Sequence, residues 1–293
     1  MLESDRRRPD FDMLAQTLRP KLHRYCARMA GSSIDGEDIV QDALLKAMQA
    51  FPGDGSIANP EAWLFRIAHN TALDFLRRQL RAESIMVERA EETIADPVEE
   101  VSRRQIAAMS LRPFMKLSPA ERSSVILMDV IGYSLLEIGE IMDATAPAVK
   151  AALHRGRRRL AALTGDGDAA VPLTDREHER LARYVDRFNA HDFDAVRDLL
   201  AEDVRLELIG RLTLNGKPAV SRYFSNYAGR SDWHFTVGFV DGRPAILSHR
   251  PDDAAKVPTN FILLDWDGGT VSQIRDFHHA GYVIESADMH REA

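Results

Sequence analysis

Two copies of one helix-start sequence constrain the fold of this chain more than any other feature. Ser118-Pro119-Ala120-Glu121 and Ser134-Leu135-Leu136-Glu137 both match the capping box. In that motif a hydroxyl and a glutamate bond reciprocally to unpaired backbone amides of the first helical turn. A further helix is predicted from Thr145 through Leu163, after a short break at Asp143-Ala144-Thr145. Two helices joined by so short a turn fit a helix-turn-helix.

The second helix of this pair is strongly basic. Acidic residues are absent from the sequence between Asp143 and Asp166, where the basic residues are Lys150, Arg155, Arg157, Arg158 and Arg159. Helical spacing predicts an inward face made of Val149, Leu153, Leu160 and Leu163. It predicts an outward face with Lys150, His154, Arg157 and Arg158, and a leading end with Thr145, Ala146 and Ala148. This pattern favours a helix presented to the DNA major groove, with a plain helical hairpin as the alternative.

Residues 11–80 also have a helical pattern. Asp35 is predicted as an N-cap, followed by an apolar face of Ile39, Val40, Ala43, Leu44, Ala47, Met48 and Phe51. Asn59-Pro60 predicts the start of a long helix. On that helix one stripe is apolar (Leu64, Ala68, Ala72, Leu76, Leu80) and another is polar (Arg66, Asn70, Asp74, Arg77, Arg81). Beside Trp63 and Phe65, the polar stripe suits phosphate contact and stacking on unpaired bases, although, taken alone, a solvated helix face explains it better.

Charge and cysteine content limit the class of protein. The 38 basic and 45 acidic residues give a net charge of −7, but the first 163 residues hold 23 of each and are neutral. The remainder therefore carries the whole negative charge. Cys26 is the only cysteine, which excludes an intramolecular disulfide and a cysteine-built metal cluster, and we expect it to be half-buried. No stretch has the length and apolarity of a membrane span or a secretory signal, so we expect a cytoplasmic protein.

After Thr174 the pattern changes from helical to mixed. Two helices, 177–191 and 193–200, precede alternating segments typical of strands. Residues 235–240 and 244–248, joined by Asp241-Gly242, predict a hairpin. Residues 261–265 and 271–277 predict a second one. The sequence therefore predicts an α+β domain at this end of the chain.

The helical part resembles a known family. The first 80 residues contain EDIVQDALLKAMQAF and NPEAWLFRIAHNTALDFLRR, which resemble region 2 of the extracytoplasmic-function sigma factors, the smallest class in the sigma-70 family. Residues further on read LSPAERSSVILMDVIGYSLLEIGEIMDATAPAVKAALHRGRRRL, which resembles their region 4. The resemblance covers residues 10–163. It implies partners in core RNA polymerase and in the −10 and −35 elements of promoter DNA, and no cofactor.

The resemblance also assigns roles to individual residues. Helix 37–50 matches the element that binds the polymerase, through Asp38, Gln41, Asp42, Leu45 and Gln49. Helix 63–78 matches the element that opens and reads the −10 strand, through Trp63, Arg66, Asn70, Arg77 and Arg78. Helix 145–159 matches the reader of the −35 element, through Thr145, Ala146, Ala148, Lys150, His154, Arg155, Arg157 and Arg158. Pro147 and Ala151-Ala152 depart from the commonest form of that helix.

The C-terminal part resembles the SnoaL-like family, a cone-shaped α+β fold with a curved sheet. The stretches that carry this resemblance are DFDAVRDLLAEDVRLEL, LNGKPAVSRYF and LLDWDGGTVSQIRDFHHA. It implies a domain that modulates sigma activity in cis, and leaves a separate anti-sigma partner open. A pocket would be lined by Trp233, His249, Trp266, Asp276 and His278, as a ligand sensor, an active site or simply a packed core. We expect no catalysis and, because adjacent strand residues point to opposite faces, no metal at His278-His279.

The predicted fold class is therefore multidomain, with two all-α sigma domains followed by an α+β SnoaL-like domain. The region 2 helical bundle is expected over 10–82 and the region 4 helix-turn-helix over 111–163. Linkers are expected over 83–110 and 164–173, and the SnoaL-like domain over 174–288. One rival interpretation is a ligand-responsive helix-turn-helix regulator that acts without polymerase. Another is an isomerase or hydrolase fused to a DNA-binding segment, with Asp276 or His278 in its active site.

Overall fold

The computed structural model describes residues 4–52, 56–83, 110–163, 174–225, 227, 233–252 and 257–291. The chain divides into two compact units, 1–167 and 168–293, called here the N-terminal unit and the C-terminal unit. The predicted linker 164–173 lies outside the described residues. The predicted linker 83–110 does so too, except for its two end residues, Glu83 and Ser110. The boundaries proposed within 10–163 stay predictions. Within the described ranges, no helix is long and apolar enough to cross a membrane.

Three long helices begin the N-terminal unit: α1 (Ser4–Ala30), α2 (Ser33–Ala50) and α3 (Pro60–Glu83). Ser32 caps α2 by accepting a hydrogen bond from the Asp35 amide at 3.2 Å, so the prediction of Asp35 as the cap is wrong by one turn. Gly36 lies against the α1 backbone, where an added Cβ would be 2.5 Å from the Cα of Ala27. This close approach requires glycine. The predicted start of α3 is confirmed, since Asn59 Oδ1 accepts from the Ala62 amide at 3.0 Å.

Shorter helical segments complete this unit. A 3₁₀ turn (Arg112–Lys116) precedes α4 (Pro119–Val125), which continues as a π-helical turn (Ile126–Ile131), and α5 (Leu135–Met142) and α6 (Ala146–Ala162) follow. Both predicted capping boxes are confirmed: the Ser118 amide donates to Glu121 at 3.2 Å and the Ser134 amide to Glu137 at 2.8 Å. Asp143, in the left-handed region at φ +50°, ends α5 and turns the chain into α6. The helix-turn-helix is therefore present.

Among the described residues of the N-terminal unit, one apolar core joins helices α1 to α6. The predicted inward residues Val149, Leu153 and Leu160 of α6 are buried, and Leu163 packs partly buried against the same core. Cys26 is fully buried rather than half-buried. The apolar stripe of α3 is buried through Leu76, but Leu80 is 44% exposed, so the predicted stripe is one turn too long.

One seven-stranded sheet forms the centre of the C-terminal unit. In chain order the strands are β1 (Leu200–Leu208), β2 (Leu212–Asn215), β3 (His234–Val240), β4 (Arg243–His249), β5 (Asn260–Asp267), β6 (Thr270–Asp276) and β7 (Met289–Arg291). They lie in the order β2-β1-β6-β5-β4-β3-β7, antiparallel except for the β1–β6 pair. Register shifts in β1 and β5 increase the local twist and bend the sheet.

In the described part of this unit, the helices that accompany the sheet are α7 (Asp175–Asn189), α8 (Phe193–Asp198), α9 (Lys217–Phe224) and α10 (Gly281–Ile284). Both predicted hairpins are confirmed as β3–β4 and β5–β6. The β3–β4 turn has positive φ at Asp241 and Gly242, as the sequence predicts. Strands β1, β2 and β7 and helices α9 and α10 are absent from the sequence-based assignment. The observed α+β architecture confirms the predicted class.

Candidate functional site

The polar stripe of α3 and the neighbouring Arg78 face solvent. The side chains of Arg66, Asn70, Arg77 and Arg78 are all exposed, whereas Ala68 and Ala72 on the opposite face are fully buried. Arg77 pairs with Asp74 at 3.0 Å, but both remain more than half exposed. An exposed pair of this kind contributes little to stability and can exchange its partner for a phosphate. The α3 stripe therefore offers cationic groups and one amide to a ligand in solution.

The two aromatic residues at the start of α3 have different surroundings. Trp63 is half-buried and its ring lies 5.9 Å from that of Phe51. Phe65 is fully buried, with its ring 6.0 Å from Tyr25 and 5.2 Å from Tyr133. The expectation that both rings suit stacking on unpaired bases is wrong for Phe65, because core packing covers it.

The outer face of α2 carries an apolar patch. Leu45 is 52% exposed, as the predicted docking surface requires, and Asp42 and Gln49 are also exposed. Asp38 and Gln41 are half-buried. Met48, which the sequence pattern places on the inward face, is 46% exposed and lies one turn from Leu45. Leu45 and Met48 form what we call the α2 patch. Asp42, on the same helix, lies 4.0 Å from Arg78 of α3, so the surface around the α2 patch continues into the α3 stripe.

The first part of α6 presents the predicted outward residues. Ala148, Lys150, His154 and Arg158 are exposed, and Ala146 is half-buried at the helix start. Thr145 is the N-cap residue and is exposed. Amides at this end of the helix and the Lys150 and Arg158 side chains can therefore meet an anionic partner together.

Three of the arginines in α6 bind acidic side chains of the same unit. Arg155 and Arg159 both contact Glu121, at 3.1 Å and 2.6 Å, and the Glu121 side chain is only 3% exposed. Arg157 holds the fully buried carboxylate of Asp129, with Nε at 2.9 Å. The Arg157 side chain is 23% exposed, so the expectation that it faces outward is wrong. Sequence spacing could not reveal this, because both carboxylates belong to α4 and its π-helical continuation.

A buried polar cluster joins α1 and α3 to α4. The hydroxyl of Tyr25 lies 2.8 Å from Nδ1 of His69 and 3.2 Å from Oγ of Ser123. Nearby, Arg122 is 4% exposed and donates to three backbone carbonyls, those of Met29, Met115 and Leu117. Every one of these groups needs its partner because unpaired polar atoms are costly in a core. The cluster therefore fixes how α4 meets α1 and α3.

Acid is expected to weaken this cluster through His69. Burial lowers the pKa of His69 to about 4, from an unfolded value near 6.5. The unfolded chain therefore binds the proton first as pH falls, and we expect this residue to remove up to about 3 kcal/mol of stability between pH 6.5 and 4. Hydrogen exchange of α1 and α4 peptides, corrected for intrinsic rates, measures the local opening free energy at each pH.

The matched variant is His69→Gln, which keeps polar atoms but does not titrate. Its opening free energy should depend less steeply on pH over this range than that of the unchanged chain. Exposed His178 in the C-terminal unit provides the control substitution, His178→Gln. Equal pH dependence in the unchanged chain and in His69→Gln would contradict the assignment.

The residues predicted to line a C-terminal pocket do not all come together. Trp233, Asp276 and His278 line one cavity of about 1040 Å³. Trp266 lies instead in a separate cleft, under the guanidinium of Arg180 at 5.7 Å. His249 is 2% exposed within the sheet and its Nε2 lies 2.8 Å from Oγ1 of Thr236. The predicted set is thus split between a cavity, a cleft and the sheet interior.

Asp276 lies at the polar end of the cavity. It is 3% exposed and accepts hydrogen bonds from the His278 amide at 2.8 Å and from the Tyr223 hydroxyl at 3.0 Å. Tyr223 and Tyr227 are joined by a 2.6 Å hydrogen bond between their hydroxyls. Burial raises the pKa of Asp276, and the two hydrogen bonds only partly offset that effect. Tyr223 lies in α9 and Tyr227 follows it. Because the sequence-based assignment missed this helix, neither tyrosine was predicted as a pocket residue.

Three family models match the chain. Sigma-70 region 2 matches residues 14–82, and sigma-70 region 4 matches residues 114–160. The SnoaL-like domain matches residues 181–255. The α2 patch and the α3 stripe thus lie in the first match, α6 lies in the second up to Leu160, and Tyr223 and Trp233 lie in the third.

Individual proteins are similar as well. The ECF RNA polymerase sigma factor SigG of Mycobacterium tuberculosis is 28% identical over 232 residues, which cover 70% of this chain and 63% of SigG. This chain therefore spans less than two thirds of SigG. SigM of the same organism is 32% identical over 158 residues, covering 53% of this chain and 77% of SigM. The crystal structure of the M. tuberculosis extracytoplasmic function sigma factor SigJ is 19% identical, with a TM-score of 0.35 over 89% of this chain and 93% of SigJ.

Proposed function

Because the chain belongs to the extracytoplasmic-function family of RNA polymerase sigma factors, we propose that it binds core RNA polymerase and directs transcription from specific promoters. The observation that carries this proposal is the continuous surface made by the α2 patch and the α3 stripe. Leu45 and Met48 are large apolar groups about half exposed on a helix whose other face is fully packed. Apolar residues exposed together indicate a protein partner.

In this proposal α2 binds the polymerase and α3 reads the opened −10 strand. Arg66, Arg77 and Arg78 contact phosphates, and Asn70 has both a donor and an acceptor for a base edge. Trp63 supplies a half-exposed ring on which an unpaired base can stack, an interaction worth about 1–3 kcal/mol per base. The chemistry of RNA synthesis belongs to the polymerase, and the chain itself is not catalytic.

The −35 element is assigned to α6. Thr145, Ala146 and Ala148 at its start approach the base edges, while Lys150, His154 and Arg158 contact the backbone. Arg155 is 57% exposed and can leave Glu121 for a phosphate. Arg157 holds α6 in place through its ion pair with Asp129 and does not contact DNA in this proposal. The set of DNA-binding residues is therefore smaller than the one predicted from the sequence.

The C-terminal unit is proposed to modulate this activity in cis. All of the net charge of −7 lies after Leu163, whereas α6 is a basic helix. Opposite charges of this size attract over about 8–10 Å at moderate ionic strength. Removing the residues after Gly165 should therefore change promoter-specific activity. Equal activity of the full and shortened chains would contradict control in cis. It would not contradict the proposal that the chain binds polymerase.

DNA binding in the presence and absence of core polymerase tests the proposal against the rival of a free-standing regulator. The DNA is the region upstream of the chain's own gene, and binding is followed by gel mobility shift at two salt concentrations. We expect a specific shift only when core polymerase is present. A specific, saturable shift by the chain alone would favour the free-standing regulator. That rival does not explain why the apolar α2 patch is exposed.

Shortening the α2 patch should weaken the complex with core polymerase. We expect Leu45→Ala together with Met48→Ala to reduce the affinity by about tenfold or more, since buried apolar anchors often contribute 1–2 kcal/mol each at an interface. Fluorescence anisotropy of the labelled chain titrated with core polymerase measures the dissociation constant. Met13→Ala is the matched control, because Met13 is 66% exposed on α1, outside the proposed surface. An equal loss in both variants would contradict the assignment of the patch.

A further inference from the structure

Three arginines of α7 lie in one row on the surface of the C-terminal unit. Arg176, Arg180 and Arg183 are four and three positions apart, a spacing that makes side chains neighbours on one side of a helix. They line a surface cleft of about 280 Å³, which we call the α7 cleft. Its lining residues are Arg176, Glu179, Arg180, Arg183, Gly268 and Gly269. The role proposed for the chain in transcription makes no use of this cleft.

Arg180 is held in position by two contacts. Its Nη2 donates to the carbonyl oxygen of Gly268 in the turn between β5 and β6. Its guanidinium carbon lies 5.7 Å from the centre of the Trp266 ring, within the distance at which an aromatic ring attracts a cation. The side chain is half-buried as a result. A guanidinium fixed in this way still has N–H groups to donate to a ligand, since it carries five of them.

The positive charge of the α7 cleft is not neutralised by its surroundings. Arg176 and Arg183 are exposed, and neither forms an ion pair with any residue that the structure describes. Three arginines and one glutamate, Glu179, give the lining a formal charge of +2. The residues after Leu163 carry a net charge of −7, so the overall charge of this part of the chain does not explain the cluster. An anionic partner does explain it.

The turn between β5 and β6 adds uncovered backbone to the cleft. Gly268 has a φ of +59°, and a Cβ added at Gly268 or at Gly269 would meet no atom within 4 Å. A ligand can approach the backbone closely at such a pair of glycines, because no side chain is in its way. Exposed backbone at a turn, together with arginines, is a combination that proteins use to bind phosphate groups.

We propose that the α7 cleft binds the phosphate monoester group of a small molecule. A phosphate monoester carries about −1.5 to −2 charges near pH 7 and has three strong acceptor oxygens, which match the charge and the donors of the cleft. A guanidinium can donate two parallel hydrogen bonds to such a group. A phosphodiester carries one negative charge only and is the poorer match. The inference does not depend on the role proposed for the chain in transcription.

Two probes that differ by one charge test the ligand class. Phenyl phosphate is a monoester, and methyl phenyl phosphate has the same ring but is a diester, like the backbone of nucleic acids. Phosphorus NMR of each probe, titrated with the full chain near pH 7, measures the two dissociation constants. We expect saturable binding of phenyl phosphate with a dissociation constant of about 1 mM or lower. The diester should bind at least about fivefold more weakly, because it lacks one charge and one acceptor oxygen.

A pair of double variants assigns the binding to the cleft. Arg176→Gln/Arg183→Gln should bind phenyl phosphate about tenfold or more weakly than the unchanged chain, since two charge-assisted donors are lost. Arg222→Gln/Arg250→Gln is the matched control. It removes the same charge from exposed residues of the same unit, neither of which lines the α7 cleft, and should bind within about twofold of the unchanged chain. All four arginines are exposed, so we expect both variants to fold, and thermal unfolding checks this.

Four results would overturn the inference. The first is no saturable binding of phenyl phosphate up to about 10 mM. The second is equal binding of the two probes, and the third is an equal loss of affinity in the two double variants, which would indicate diffuse attraction by charge. The fourth is a loss of affinity for non-specific duplex DNA, but not for phenyl phosphate, in Arg176→Gln/Arg183→Gln, which would assign the arginine row to a nucleic-acid backbone. None of these measurements involves polymerase, so a negative result would not bear on the proposal for transcription.

Discussion

Replacing Arg122 by methionine is expected to destabilise the N-terminal unit by about 3 kcal/mol or more, because each buried acceptor left unpaired costs about 1–3 kcal/mol. Arg122 is 4% exposed and donates to the carbonyls of Met29, Met115 and Leu117. Burial lowers its pKa to about 10, which still leaves the guanidinium charged at neutral pH. Methionine has a similar length but no donor, so all three carbonyls would remain buried without a partner.

Urea unfolding of the full chain measures this loss, with circular dichroism at 222 nm as the signal. The control is Arg24→Met, since Arg24 lies on α1 but is exposed to solvent. We expect a change of less than about 0.5 kcal/mol in that variant. A comparably small change in Arg122→Met would mean that the three carbonyl bonds do not hold α4 against α1.

Replacing Phe188 by alanine is expected to cost the C-terminal unit about 3–5 kcal/mol, the usual range for removing a buried phenyl ring. Phe188 is 2% exposed on α7, and its ring centroid lies between 4.6 and 5.9 Å from six other aromatic rings. These rings belong to Tyr184, Phe193, Phe224, Tyr227, Trp233 and Phe235. The last three line the cavity of the C-terminal unit.

Phe188→Leu separates lost volume from lost aromatic contact. It should cost less than Phe188→Ala, because leucine fills most of the space and leaves a smaller void. Thermal unfolding of the C-terminal unit, followed by tryptophan fluorescence, gives the order of stability. Equal stability of the alanine variant and the unchanged chain would contradict the central position of this ring.

Local signals in the sequence predicted local structure well. The capping boxes at Ser118 and Ser134, the Asn59-Pro60 start of α3 and the Asp241-Gly242 turn all depend on residues within four positions of each other. Each works because a nearby side chain or a positive φ satisfies the backbone. The strand β1 was missed because it begins within two residues of the end of α8, without a turn signal between them.

Contacts between distant segments could not be predicted in this way. The pairing of Arg157 with Asp129 joins residues 28 positions apart, and the Tyr223–Asp276 bond joins residues 53 apart. The helical pattern predicted an outward direction for Arg157 because residue spacing shows which face a side chain is on but not which distant residue it contacts. For the same reason Met48 was assigned to the core: its position on α2 is borderline, and only the placement of α1 and α3 decides which side is covered.

Run-off transcription with purified core RNA polymerase tests the central claim most directly. The template is the region upstream of the chain's own gene, and the full chain is compared with the Leu45→Ala/Met48→Ala variant. We predict transcripts from one start site that require both core polymerase and the chain, and that decrease in the variant at limiting concentration. Transcripts that are independent of the chain, or none at all together with specific DNA binding by the chain alone, would contradict the assignment as a sigma factor.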